Sequence, residues 1–139
     1  MQNKVRKLAI IIGSGPSGLM AAEQLALKGL EVLVAERKPS LARKFLMAGK
    51  SGLNLTNDDK IEEFTTKFYE ASEWIDPILK NFCPKDVVKW AESLNENLFV
   101  GSSGRIFPVA MKASPILRSW IIKLKGEGVS FKTSWNWTG

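Results

Sequence analysis

Six residues near the start of the chain, Gly13-Ser14-Gly15-Pro16-Ser17-Gly18, have the types and spacing to hold a pyrophosphate. Gly13 permits a tight turn, and Gly15 lets the backbone approach a phosphate with no Cβ in the way. Gly18 allows a helix to pack close on a sheet. Pro16 suits the first helical position, where the N–H it lacks would have had no intrahelical partner. The remaining free N–H groups and the positive end of the helix dipole attract an anion there. Glu36 follows Gly18 by 18 positions, a spacing that fits the acid accepting hydrogen bonds from an adenosine ribose. A carboxylate there favours a free ribose and repels a 2′-phosphate, so FAD or NAD is preferred over NADP. Arg37, next in line, weakens that exclusion.

A strand, a turn, a helix and a second strand must position these residues. Leu8–Ile12 is a continuous apolar run, as expected of a parallel strand covered on both faces. In the helix, Leu19, Ala22, Leu25 and Ala26 follow the spacing of a buried face, with Glu23, Gln24 and Lys28 outside it. Lys28-Gly29 is a normal helix terminus. Residues Glu31 to Ala35 form the second strand, with Glu36 at its carboxyl end. The fingerprint alone is weak, because glycine-rich turns are common; its bland alternative is a βαβ corner that binds nothing. Here strand, helix, second strand and terminal acid are all in place.

The 139 residues can hold one core of ordinary size. Hydrophobic content of 45% with 24% charged residues is that of a soluble globular protein. The net charge of +6 is scattered, densest at the KVRK segment (positions 4–7) and at Lys123 and Lys125, with no aromatic interleaving. That pattern speaks for surface charge and an anionic cofactor rather than a nucleic-acid partner. Cys83 is the only cysteine, so no intrachain disulfide forms and a cytoplasmic location is natural; Phe82 and Pro84 beside it suggest a structural thiol. The absence of histidine excludes Cys–His catalysis and His-based metal sites within the chain. Lys4, Arg6 and Lys7 before an apolar run imitate a signal peptide. The glycines after Ile12 interrupt that run, and no stretch is long enough to span a bilayer.

After Glu36, Pro39 breaks the strand, and Arg37, Lys38, Arg43 and Lys44 surround Phe45-Leu46-Met47. Ala48 to Gly52 is a flexible turn, followed by Leu53-Asn54-Leu55-Thr56-Asn57. Such a loop can wrap a phosphate-bearing ligand through backbone N–H groups, or it can be a plain connector. The fingerprint, the Glu36-Arg37 pair and ARKFLMAGKSGLNLTN (Ala42 to Asn57) together resemble the BaiN/RdsA-type NAD(P)/FAD-dependent flavoproteins, and in particular a subgroup whose loop reads AGxGGLNLT. Gly104-Arg-Ile-Phe-Pro108, with Met111-Lys-Ala-Ser114 after it, is similar to a GR-[VI]-FP segment of the same proteins.

The resemblance spans essentially the whole chain and implies an α/β Rossmann-like FAD/NAD(P)-binding domain of the glutathione-reductase type. On it, Gly13, Gly15, Pro16, Ser17 and Gly18, with Ser14 in the same turn, would hold the pyrophosphate of FAD, and Glu36 the ribose. Arg37, Lys44 and the Gly49–Thr56 loop, including Gly52, Asn54 and Leu55, would pass along the ribityl chain toward the isoalloxazine. Arg105 is a further candidate for a flavin or substrate contact. There are departures. The broader family commonly has Gly-Gly-Arg-Cys-Asn where this chain has Lys50-Ser51-Gly52-Leu53-Asn54, and Ser51 replaces the subgroup's glycine. A role for a cysteine beside the flavin therefore does not carry over, and no catalytic acid or base can be named.

From Asp58 to Asn97 the pattern is helical. One helix, capped by Asn57 or Asp58, runs through Tyr69 with Ile61, Phe64 and Phe68 inward. A second carries Trp74, Ile75, Ile78, Leu79 and Phe82, and a third opens at Pro84 with Val87, Val88, Trp90, Ala91 and Leu94. Their aromatics are expected in the core. Leu98 to Val100 is a short strand and Gly101 to Gly104 a turn. Ala113 to Lys125 is a helix with Ile116, Leu117, Trp120, Ile121 and Leu124 inward, and Val129 to Thr133 a strand.

Ser134 to Gly139 follows with two tryptophans, where members of the resembled family continue with more sheet and a substrate domain. The expectation is one incomplete FAD-binding domain over 1–139, with a helical excursion at about 58–97, belonging to a longer flavoprotein. Its function would be that of an FAD-dependent oxidoreductase of unknown substrate, with NAD(P)H as a plausible donor although no second G-x-G-x-x-G is present to hold it. A NAD-dependent dehydrogenase sharing the same βαβ unit and a non-catalytic nucleotide-binding remnant are the alternatives.

Overall fold

A computed structural model describes residues 7–139; Lys4 and Arg6 of the basic lead lie outside the described residues. In chain order the elements begin with β1 (Leu8–Ile12), α1 (Pro16–Leu27), β2 (Glu31–Glu36) and α2 (Arg43–Ala48). They continue with β3 (Thr56–Asn57), α3 (Ile61–Thr66), a 3₁₀ turn (Tyr69–Ala71), α4 (Ser72–Asn81) and α5 (Pro84–Ser93). The last are β4 (Leu98–Val100), β5 (Arg105–Pro108), α6 (Ala113–Gly126) and β6 (Val129–Thr133). The chain divides into two compact units, one made of the chain up to Ala48 and again from Leu117, the other of Gly49–Ile116.

The first unit is the expected α/β arrangement. β1, β2 and β6 form a parallel sheet in the order β1-β2-β6, with Ile11 beside Val34 and Val34 beside Phe131. Val32 and Val34 of the central strand are fully buried. β1 is not covered on both faces as its composition predicts. Ile11 points to α1, where its Cγ2 lies 3.4 Å from the position a Gly18 Cβ would take, while Leu8, Ile10 and Ile12 are each more than half exposed. Among the described residues only one face of this strand meets a helix, so exposure alternates along an apolar run.

α1 starts at Pro16, with Gly15 in extended conformation as its N-cap. It ends with Gly29 at φ +78°, where the Gly29 and Leu30 N–H groups reach back to Ala26 and Leu25. Leu19 and Ala22 are buried as expected, but Leu25 and Ala26 are only half-buried, and Glu23 is buried where the spacing puts it outside. The reason is a partner 97 positions away: Trp120 of α6 donates its indole N–H to Glu23 Oε2 at 2.5 Å, and Lys123 pairs with Oε1. Phe45 of α2 packs edge-on against Trp120, 6.1 Å between ring centres.

The second unit carries an antiparallel sheet, β3-β5-β4, and the helices α3 to α5. Several expectations change here. α3 is one short piece, because Thr65 and Thr66 turn their hydroxyls back onto the Ile61 and Glu63 carbonyls, an interaction that competes with helix propagation. Its N-cap is Lys60 rather than Asn57 or Asp58, since Asn57 is committed to β3 opposite Arg105. The aromatics are not uniformly core: Tyr69 is 81% and Trp74 64% exposed. α5 begins as read, with Pro84 in its first turn and the Cys83 N–H donating to Asp86 Oδ2 at 2.9 Å, which makes Cys83 a helix cap.

Candidate functional site

The carboxyl ends of parallel strands with a helix N-terminus between them make the natural anion crevice of such sheets. In the first unit that crevice is a cleft of about 470 Å³ lined by Gly13, Ser14, Gly15, Glu36, Arg37, Lys44 and neighbouring residues. Gly13, at φ +94°, makes the turn out of β1 and donates its N–H to the Ala35 carbonyl at 2.8 Å. A Cβ on Gly18 would sit 2.1 Å from the Gly13 carbonyl oxygen, so only glycine lets α1 start this close to the strand. Gly15 is different. Its φ of −67° suits any residue, and a Cβ there would meet nothing within 4 Å. The space beside it is open cleft, as needed for a phosphate to approach the backbone.

Glu36 is anchored rather than loose. Its Oε2 accepts the Ser14 hydroxyl at 2.6 Å and the Ser14 N–H at 3.0 Å, and its Oε1 accepts the Lys38 N–H at 2.8 Å. Burial raises the Glu36 pKa, but the bonds from Ser14 and Lys38 and the charge of Arg37 outweigh it and leave the carboxyl below its ordinary value. A carboxylate has roughly four acceptor positions. Three are in use, so one remains on the Oε1 side for an incoming hydroxyl. Ser14, fully buried, also accepts the Ala42 N–H at 2.9 Å. One hydroxyl thus ties the glycine turn, the strand-end acid and the entry to α2 together.

Of the residues singled out in the sequence, Gly13, Ser14, Gly15, Glu36, Arg37 and Lys44 line this one cleft, with Pro16, Ser17 and Gly18 forming the first turn of α1 beside Gly15. The cations Lys38 and Arg43 join the lining, as do Trp135, Asn136 and Trp137, which belong to no motif of the sequence. The signal for the tryptophans was that a third parallel strand ending at Thr133 must deliver its continuation to the same sheet edge.

The remaining candidates belong to the second unit, where backbone and packing account for much of their character. A Cβ on Gly49 would come 2.5 Å from the Ala113 Cβ, and Gly52 adopts φ +123°. The Asn54 amide, turned to satisfy its surroundings, donates to the Thr56 and Ile106 carbonyls at 2.8 and 3.3 Å. The Leu55 N–H donates to Ile106 at 2.9 Å, and Thr56 is buried in β3. Asn54, Leu55 and Thr56 line a separate cleft of about 420 Å³ with the exposed Arg105. Among the described residues no cluster of metal-ligating side chains occurs, and no helix is long and apolar enough to cross a membrane.

Solved structures share this architecture. Over 93% of its length the chain is similar to a flavocytochrome c3 fumarate reductase in its open conformation (TM-score 0.66, 20% identity), covering 26% of that chain. Over 96% it is similar to a 3-ketosteroid-Δ4-(5α)-dehydrogenase from Rhodococcus jostii RHA1 (TM-score 0.64, 15% identity), covering 39% of it. Over 92% it is similar to THI4 from Thermovibrio ammonificans (TM-score 0.55, 22% identity), covering 38%. The chain thus spans well under half the length of these neighbours. At such identities the likeness establishes the fold, a Rossmann-like α/β domain. The model of the HI0933-like protein Rossmann domain matches residues 7–139, and the chain belongs to that family.

Proposed function

We propose that this chain supplies the ADP-binding part of an FAD-dependent oxidoreductase of the BaiN/RdsA type. The observation that carries the reading is the Ser14-held carboxylate of Glu36, placed in one cleft with Gly15 and the α1 N-terminus. The donor set suits the group. The N-terminal turn of α1 would face the pyrophosphate, four cations (Arg37, Lys38, Arg43 and Lys44) would offset its charge, and Gly15 leaves the space a phosphate needs. The fumarate reductase and the steroid dehydrogenase among the structural neighbours are by name redox enzymes.

Bound FAD supplies the redox chemistry through its flavin ring. The chain's own residues do the holding. The turn from Gly13 to Gly18 would bind the pyrophosphate through the backbone N–H groups of Gly15, Ser17 and Gly18, since Pro16 has none and those of Gly13 and Ser14 are given to Ala35 and Glu36. Glu36 accepts a ribose hydroxyl at the position its three existing bonds leave open. Arg37 and Lys44 steer the phosphates. In the same reading Gly49, Gly52, Asn54, Leu55 and Thr56 pass toward the isoalloxazine, further sequence of the flavoprotein supplies the substrate site, NAD(P)H is the donor and the compartment is the cytosol.

The test is the visible absorbance of the purified chain, followed by identification of any released chromophore and titration with FAD and with NAD. A yellow protein releasing FAD, or a colourless one that binds FAD more tightly than NAD, supports the proposal. Tight NAD binding without FAD binding would assign the cleft to a nicotinamide dehydrogenase instead.

A further inference from the structure

The cleft has an aromatic rim that the pyrophosphate fingerprint does not use. β6 runs parallel to β2, and Glu36 lies beside Thr133 in register, so the chain leaving β6 emerges next to the carboxylate. Ser134 turns there at φ +57°. Its N–H donates to the Lys38 carbonyl at 3.1 Å, and the Trp135 N–H donates to the Glu36 carbonyl at 3.0 Å. These bonds fix the start of a segment in which Trp135, Asn136 and Trp137 all line the cleft. Trp135 is 52% and Trp137 67% exposed. The Lys132 ammonium stands 5.9 Å from the Trp135 ring centre, on one face of the indole, which leaves the other face for a second planar group.

We propose that Trp135 is the base-binding wall of the cleft: the adenine of the nucleotide whose ribose Glu36 receives stacks on the free indole face, with Trp137 beside it. The assignment rests on the reading of the cleft as an ADP site. What selects adenine over another ring is connectivity. Trp135 is hydrogen-bonded to the backbone of the residue whose side chain takes the ribose, and the group one glycosidic bond from that ribose is the base. An aromatic face suits a base because every base presents a π-surface, and a cation on the far face adds to the attraction.

The experiment is calorimetric titration of the full chain, Trp135→Ala and Trp135→Phe with ADP, and with inorganic pyrophosphate as a probe that has no base. Trp135→Ala should weaken ADP about tenfold or more, Trp135→Phe should recover most of the loss, and pyrophosphate affinity should be the same in all three. Unchanged ADP affinity in Trp135→Ala overturns the assignment while leaving the cleft an ADP site. Equal losses for ADP and pyrophosphate also overturn it, since the tryptophan would then only support the loop. Failure of the unsubstituted chain to bind ADP removes the ADP reading itself, and this assignment with it.

Discussion

Ser14 gives both of its donors, the backbone N–H and the hydroxyl, to a single oxygen of Glu36, 22 positions further along the chain. The strand-end acid is therefore set by the glycine turn itself, and the two halves of the proposed ADP site are built as one piece. The Ala42 N–H, bonded to the Ser14 hydroxyl, adds the entry to α2 to that piece.

Ser14→Ala is expected to cost stability as well as affinity. It removes the bond to Glu36 and leaves the N–H of Ala42, itself 1% exposed, without its acceptor, a loss of about 1–3 kcal/mol. Urea unfolding should show a lower midpoint at unchanged slope, with weaker binding of ADP. A variant as stable as the parent would mean that the hydroxyl bridge is not formed.

Acid should loosen the site. The folded pKa of Glu36 is depressed below 4.5, with the Ser14 and Lys38 bonds outweighing the effect of burial. Its stabilising contribution is therefore complete above the unfolded value and lost as pH falls through the folded one. The stability difference between the parent and Glu36→Gln should shrink as pH falls from neutral through and below the ordinary glutamate range. A difference independent of pH would contradict the anchored carboxylate.

Gly18→Ala should act on the fold first. Its Cβ would lie 2.1 Å from the Gly13 carbonyl oxygen, so α1 must back away from the turn, at a cost of about 1–3 kcal/mol. Thermal unfolding should report the loss, with FAD affinity falling alongside. A fully stable variant would show that α1 has room to stand further from the turn than the 2.1 Å clash allows.

Glu23 is expected to matter for stability alone. Glu23→Ala removes a buried acceptor of the Trp120 indole and the partner of Lys123, costing about 3 kcal/mol. Glu23→Gln, which keeps an acceptor for the indole, should cost less. Chemical denaturation ranks the two, and equal effects would argue against the indole bond.

The parts legible in the sequence are those governed by local backbone demands. Gly13 needs positive φ, Gly18 has no room for a Cβ, and Pro16 starts a helix, so the turn, α1 and the place of Glu36 follow from neighbouring residues alone. The parts that were not legible depend on distant partners. Glu23 reads as a solvent residue until Trp120 and Lys123 arrive from α6. Trp135 reads as a loose end until the pairing of β6 with β2 brings it to Glu36. Leu8, Ile10 and Ile12 have the composition of a covered strand, and composition alone does not reveal that one face of β1 is open. Asn54 and Thr56 stand in a motif suggestive of ligand contact, yet their amide and backbone are engaged with β5.

The most direct test of the proposed ADP site is FAD titration of Gly15→Val beside the parent chain, with both melting curves recorded. Gly15 has ordinary extended backbone angles and open space where a Cβ would lie, so the valine should leave the melting temperature close to that of the parent. Its side chain would occupy the approach to the α1 N-terminus. If the cleft holds ADP through this turn, the variant folds and no longer binds FAD. A folded variant with parental FAD affinity would contradict it, because the fingerprint would then be a turn and nothing more.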